Sequence, residues 1–304
     1  MTLSLRERAT RRARFLSNVR AFFDIRSVLE VDTPLLCEFG ITDPAIENIV
    51  TTHHRHLQTS PEFAMKRLLS AGIGDCFQIC KAFRAEELGR WHREEFTILE
   101  WYRLGFDANA LIGECLALLQ HLSGESLFAK TMRYGDWICD YAGIEDWRDS
   151  VQVVGALKLA NIDIPTSILN EHNALLDLLI ATVIVPKMRG IHVIYPFPED
   201  QASLAVKTHD GYAERFEIYW DNVELANGFY ELTDSDEQLA RFQADQRERS
   251  RNGQPARDID HRFIESLPNL PSCAGVAIGL DRLLAKISGA ASLDEHDLFE
   301  VGTI

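Results

Sequence analysis

Apolar positions in the first 28 residues recur with a helical period. Ala9, Ala13, Phe15, Leu16, Val19, Phe22 and Phe23 fall on one face and arginines on the other, which predicts an amphipathic helix over residues 4–28. Residues 29–36 then read as a short strand interrupted by Pro34. A proline has no N–H to give a ladder, so it belongs at a strand edge or bulge. Residues 39–52 mix loop and strand. Ser60 reads as the cap and Pro61 as the first turn of a helix running to Ala71, and Gly72 and Gly74 mark a turn.

Further along, Phe77 and Ile79 on one side and residues 96–102 on the other predict two strands joined by a polar loop. That loop carries Arg84, Glu86, Glu87, Arg90, His92, Arg93, Glu94 and Glu95, far more charge than a chain reversal needs. Composition leaves two readings open: a solvated, salt-bridged hairpin, or a loop built to hold a ligand. Residues 108–122 read as an amphipathic helix and residues 123–190 as largely helical, with loops at Gly143, around Asn161 to Pro165 and at Pro186. Residues 191–196 and 214–225 read as strands, with Asp210 and Gly211 turning between a neighbouring pair. An acidic-then-basic helix with a solvated face covers residues 234–252.

Composition narrows the class. The chain has 304 residues, 46% of them hydrophobic and 25% charged, as in an ordinary globular protein. No run of 18 apolar residues occurs, and the N-terminus has no apolar core behind its basic residues, so neither a membrane span nor a signal peptide is expected. Lys and Arg total 31 against 46 Asp and Glu, a net charge of −15, which is a poor footprint for wrapping a polyanion. Arg6, Arg8, Arg11, Arg12, Arg14 and Arg20 cluster in the first helix and read as a solvated face. The six cysteines lack paired spacing and read as reduced thiols of a cytoplasmic protein, not as zinc ligands. His53, His54 and His56 read as a surface strand edge, because neighbouring strand residues face opposite sides.

Three ordered stretches decide between the two readings of the charged loop. Arg84-Ala85-Glu86, His92, Glu94-Glu95-Phe96 and Leu99-Glu100-Trp101-Tyr102 resemble motif 2 of class II aminoacyl-tRNA synthetases. Residues 275–282 (GVAIGLDR) resemble motif 3 and residues 20–35 resemble motif 1. The nearest subgroup is lysyl. The resemblance implies an α+β fold: a class II aminoacyl-tRNA synthetase catalytic fold, with a mainly antiparallel sheet flanked by helices. It also implies a homodimer through the helix–strand–proline unit. Residues 1–304 are then one catalytic domain with a largely helical insertion at about 107–190.

Class II activation joins a carboxylate to the α-phosphate of ATP and expels pyrophosphate, giving an aminoacyl-adenylate. By this resemblance Arg84 neutralises the α-phosphoryl group, which a guanidinium does in a bidentate manner. Glu86 accepts from the adenine amino group, His92 reaches the triphosphate, and Phe96 and Arg282 stack on the two adenine faces. Gly279 leaves room for the nucleotide and Leu225 joins the ATP site, while Arg93, standing where the family has asparagine, either replaces that contact to ATP or faces solvent. The run EIYWDNVELANGFYE implies that Glu217 and Glu224 hold Mg2+, a cation suited to oxygen ligands. Glu100, Tyr102 and Glu231 surround a side-chain ammonium, while Glu62 and Asn227 reach the other amino group and the carboxylate. Ser60, Pro61 and Ala277 complete the pocket. Buried carboxylates of this kind demand a cationic substrate, since an unpaired buried charge is costly.

Within the lysyl subgroup, the chain begins at the motif 1 helix, with no room before it for an anticodon-binding barrel. Ala277 also stands where lysyl-tRNA synthetases usually have glycine. Both features resemble the truncated lysyl-synthetase paralogues that attach (R)-β-lysine to a lysine of elongation factor P. The implied partners are that factor and (R)-β-lysine or lysine, with tRNA disfavoured and no membrane. The rivals are an enzyme charging tRNA with lysine and a non-catalytic amino-acid-binding paralogue. Two stretches depart from the family pattern. The loop reads His92-Arg93-Glu94-Glu95-Phe96 instead of His-Asn-Pro-Glu-Phe, and the tail reads LDEHDLFEVGTI.

Overall fold

The computed structural model describes residues 3–299; the last five residues of the departing tail lie outside them. The chain forms two compact units, one of Met1–Ser126, Ser203–Val206 and Gly228–Ile304, the other of Leu127–Ala202 and Lys207–Asn227.

The first unit opens with α1 (Leu5–Asp24), whose Ser4 cap and Glu7 bond reciprocally. Phe15, Val19, Phe22 and Phe23 are its buried stripe, and Phe23 stacks on Phe77 with ring centres 4.4 Å apart. The helix stops four residues short of the reading from periodicity, because Ser27 turns the backbone at φ 55°. The expected strand over residues 29–36 is two short pieces, β1 (Leu29–Glu30) and β2 (Leu36–Cys37), with Pro34 outside both. β2 pairs with β3 (His56–Leu57). His53 and His54 do not lie in a strand: they sit in a turn, with His54 at φ 57°. In α2 (Glu62–Ser70) Pro61 occupies the cap position, and Ser60, one residue earlier, accepts from the Glu62 N–H.

The charged hairpin is β4 (Cys76–Phe83) and β5 (Glu95–Leu104), antiparallel from Cys76 opposite Tyr102 to Phe83 opposite Glu95. β1 flanks β4 in parallel. The amphipathic helix is α3 (Ala108–Ser123), capped by Asp107.

The second unit contains β6 (Ala129–Met132), α4 (Tyr134–Ala142), α5 (Ser150–Leu159) and α6 (His172–Leu179). β6 is a strand inside the stretch read as helical; it pairs in parallel with β7 (Ile191–Ile194). β8 (Phe197–Pro198) pairs with β9 (Tyr212–Ala213). Residues 214–225, read as one strand, are a hairpin of β10 (Arg215–Trp220) and β11 (Val223–Tyr230). Asp221 turns it at φ 50°, a conformation that Asp tolerates in two-residue reversals. Trp137, Leu175, Leu176, Leu179, Ile184 and Ile194 fill this unit's core.

Residues 228–230 of β11 return to the first unit, followed by α7 (Ser235–Arg251), α8 (His261–Ser266), β12 (Cys273–Gly279) and α9 (Leu280–Ile287). β12 pairs antiparallel with β5, placing Gly275 opposite Tyr102 and Ala277 opposite Glu100. The face of α7 is not purely solvated, since Arg249 is fully buried and bonds Glu47 at 2.7 Å. Likewise Arg12 and Arg20 of the basic first helix are paired, with Asp281 and Glu30. The six cysteines are free, and among the described residues no helix is long and apolar enough to cross a membrane.

Candidate active site

The β5 positions Glu100 and Tyr102 point to the same side of the strand, where α2 and the end of β11 face them. Glu100 is 2% exposed and accepts from Tyr102 Oη at 2.7 Å and from Ser60 Oγ at 2.6 Å. Glu231 is equally buried, and its Oε2 lies 2.5 Å from Lys66 Nζ; no hydrogen bond reaches its Oε1. Lys66 also meets Glu62 Oε1 at 2.6 Å, one helical turn back. A cavity of about 260 Å³ opens at Ser60, Pro61 and Glu62, with Gly40, Arg67 and Arg262 also in its wall.

Burial, aided by the charge of Glu62, pushes the Glu100 carboxyl up to about 7, against the bonds from Ser60 and Tyr102. Burial likewise pushes Glu231 up to about 8, although Lys66 pulls it down. Burial opposes charge on Lys66, but Glu231 and Glu62 outweigh it and keep the ammonium. The site is therefore an acid cluster short of positive charge.

Sequence reasoning passed over two residues here. Lys66 is not singled out by the sequence motifs, though its spacing from Glu62 is a usable signal. Gly275 reads as part of motif 3, yet a Cβ there would overlap the Tyr102 ring and the Glu231 carboxylate. Glycine thus lets β12 close against the acids.

A second group of the same unit surrounds the β4–β5 loop. The Arg84 guanidinium lies 5.2 Å over the Phe96 ring and 3.4 Å from Glu87, and its buried Nε has no hydrogen-bond partner. Glu86 is exposed, at φ 66°, and its N–H is held by Glu94. Partial burial and the charges of Arg282 and Arg84 push the His92 imidazole down, towards its neutral form. Arg282 Nε donates to the Trp91 carbonyl at 2.9 Å. Asp281 ties motif 3 to motif 2 and to the first helix: it accepts from Arg12 of α1 at 2.7 Å and from the Thr97 N–H of β5 at 2.6 Å. A Cβ at Gly279 would meet only the Arg282 side chain, at 3.6 Å, so protein atoms do not fill that space. Arg93 is neither solvent-facing nor free, because it pairs with Asp294 and with Asp297 at 3.1 Å.

The second unit carries Glu217, Glu224, Leu225 and Asn227. Glu217 accepts from Arg215 at 2.5 Å and from Tyr219 Oη at 2.7 Å. A two-residue turn at 221–222 sets Tyr219 opposite Glu224, so Arg215, Glu217, Tyr219 and Glu224 share one face. Glu217 and Glu224 both hold the Arg215 guanidinium charged against its burial. Leu225 is buried, and Asn227 Oδ1 is a buried acceptor without a donor. Among the described residues no three His, Cys, Asp or Glu side chains are grouped to hold a metal by themselves. Two carboxylates suit a magnesium ion that keeps water and phosphate oxygens as its other ligands.

The chain is similar to known proteins over nearly its whole length. The family of class II tRNA synthetases (D, K and N) matches residues 1–301. A Vibrio cholerae protein named elongation factor P–(R)-β-lysine ligase is 42% identical over 306 residues, spanning 95% of this chain and 93% of its own. Proteins of the same name from Mannheimia succiniciproducens and Pasteurella multocida are 42% and 39% identical, each spanning 95% of this chain and 94% of theirs. The chain belongs to the class II tRNA synthetases of the D, K and N group and, within them, to the elongation factor P–(R)-β-lysine ligase family.

Proposed function

We propose that this chain activates (R)-β-lysine with ATP and transfers it to a lysine side chain of elongation factor P. The observation that carries this reading is the cluster of Glu62, Glu100 and Glu231, the last two buried, with Lys66 as the cation bonded to Glu62 and Glu231. Such a cluster favours a ligand that brings its own ammonium groups. Glu231 Oε1 is an unmet acceptor suited to such a group. The relatives' names supply the identity of amino acid and acceptor. Ala277, opposite Glu100, narrows the pocket floor and suits the shifted amino group of the β-isomer.

The α-phosphoryl charge falls to Arg84, whose Nε has an unused donor. Phe96 and Arg282 hold adenine, Glu86 its amino group and His92 the phosphates. Glu217 and Glu224 hold Mg2+, which when bound offsets phosphate charge. The substrate carboxylate displaces pyrophosphate, and the acceptor amine then displaces AMP and loses a proton. Residues 1–304 make a single catalytic domain carrying the insertion at about 107–190. We place it in the cytoplasm as a homodimer, on the exposure of Ile25, Leu29, Leu35 and Leu36 along motif 1. A protein acceptor also fits the net charge of −15 better than tRNA does.

Incubation with ATP, (R)-β-lysine and elongation factor P should add one β-lysyl mass to the factor. An unshifted factor, or lysine appearing on tRNA in an acid gel, would refute the proposal.

A further inference from the structure

The acid cluster has a countable charge. Glu62, Glu100 and Glu231 face one another, and Lys66, 1% exposed, is the cation placed among them at 2.6 and 2.5 Å from Glu62 and Glu231. Arg67 and Arg262 stand in the cavity wall at Glu62 but bond none of the three acids, and Arg262 is paired with Glu38. The groups packed against Glu100 and Glu231 add no charge, the Cys80 thiol being pushed up to about 12 by burial. Burial pushes the Tyr102 hydroxyl and the Cys273 thiol up, and the Cys76 thiol up to about 12, so all three stay neutral. Ser60 and Tyr102 donate to Glu100 without bringing charge. Asp75, behind Cys76, is paired with Arg103 at 3.3 Å. With its acids ionised, the pocket therefore lacks two positive charges.

We propose that Lys66 is the specificity-determining counter-ion of this pocket. It braces Glu62 against Glu231 and cancels one of three acids, leaving a deficit that two ammonium groups fill and one does not. The inference rests on the diamino-acid reading above and adds the residue that sets the count. Lys66 is a positioning residue: it acts through Glu62 and Glu231. Without ligand, protons make up the deficit, in line with the raised Glu100 and Glu231, and the two ammonium groups of the substrate displace them. Without Lys66, a further proton has to occupy the cluster and has to leave before the same substrate binds.

Lys66→Met keeps the length of the side chain and removes its charge. ATP–pyrophosphate exchange with (R)-β-lysine is followed from about pH 6 to about pH 9. The acid limb of kcat/KM should move up by about one pH unit or more. The KM for (R)-β-lysine should rise on the order of a hundredfold while the KM for ATP holds. Methylammonium added to Lys66→Ala should move the limb back. A limb that stays in place, or a KM for ATP that rises in step, means Lys66 only braces the fold and overturns the inference. Should the variants not fold, wild-type calorimetry in two buffers of different ionisation enthalpy decides: binding near pH 7 should release protons, and none released overturns the inference. Wild-type exchange with a mono-ammonium amino acid but not with (R)-β-lysine refutes the underlying reading. Wild-type exchange with (R)-β-lysine beside an unmoved limb refutes this inference alone.

Discussion

The Arg93 guanidinium is bound to the Asp297 carboxylate, with Nη2 at 3.1 Å and Nε at 3.2 Å from Oδ2. Asp294 bonds the same Nη2, and Arg8 of α1 donates to the Asp297 carbonyl. The two stretches that depart from the family's usual sequence thus meet each other. The loop's arginine is engaged by the tail's aspartates, which holds residues 291–297 against the β4–β5 loop. Arg93→Ala and Asp297→Ala should therefore not be additive. In a double-mutant cycle of urea unfolding, their coupling should be about 1 kcal/mol, the scale of a partly exposed pair. Additive losses would separate the loop from the tail.

Stability should depend on pH through the acid cluster. Glu100 and Glu231 keep protons in the folded chain up to about 7 and about 8, against an ordinary value of 4.5. Between those limits the folded state binds more protons than the unfolded one, so the ligand-free protein loses stability as pH rises. A diamino acid supplies the missing cations. The rise in Tm caused by saturating (R)-β-lysine should accordingly be larger near pH 8 than near pH 6. Thermal melts at the two values test this, and an equal rise at both contradicts it.

Gly275→Ala should damage both the pocket and the fold. Its Cβ would enter the space of Tyr102 and Glu231, and β12 cannot retreat without breaking register with β5. Overpacking of this kind costs about 1–3 kcal/mol. Urea unfolding should show that loss, with exchange reduced in parallel; unchanged stability would mean the strand gives way freely.

Arg84→Ala should separate catalysis from assembly. Removing a guanidinium that offsets phosphoryl charge should lower exchange by about a thousandfold or more. Arg84 is not among the exposed apolar residues Ile25, Leu29, Leu35 and Leu36 on which the proposed dimer rests, so sedimentation should report the same oligomeric state for variant and parent. Loss of the dimer would reassign the residue.

Much of this was legible in the sequence because it is local. The buried stripe of α1 and the two strands around the charged loop follow from spacing within one element, and the motif residues from their resemblance to class II synthetases. The misses arise from tertiary context. Lys66 and Arg249 are helix residues of a type that faces water by default, and acids distant in the chain draw them inside. The strand read over residues 214–225 hides a reversal, because Asp221 and Asn222 carry no glycine to mark it. The short β6 is a strand only because β7 is there to pair with it. Arg93 could not be placed from its own surroundings, since its partners lie some 200 residues away.

The most direct measurement compares ATP–pyrophosphate exchange with (R)-β-lysine against 3-aminohexanoate, the same chain without its terminal amine. If buried acids select the substrate, kcat/KM should fall by a factor on the order of 10⁴ for the analogue. Comparable values for the two compounds would contradict the account at its base.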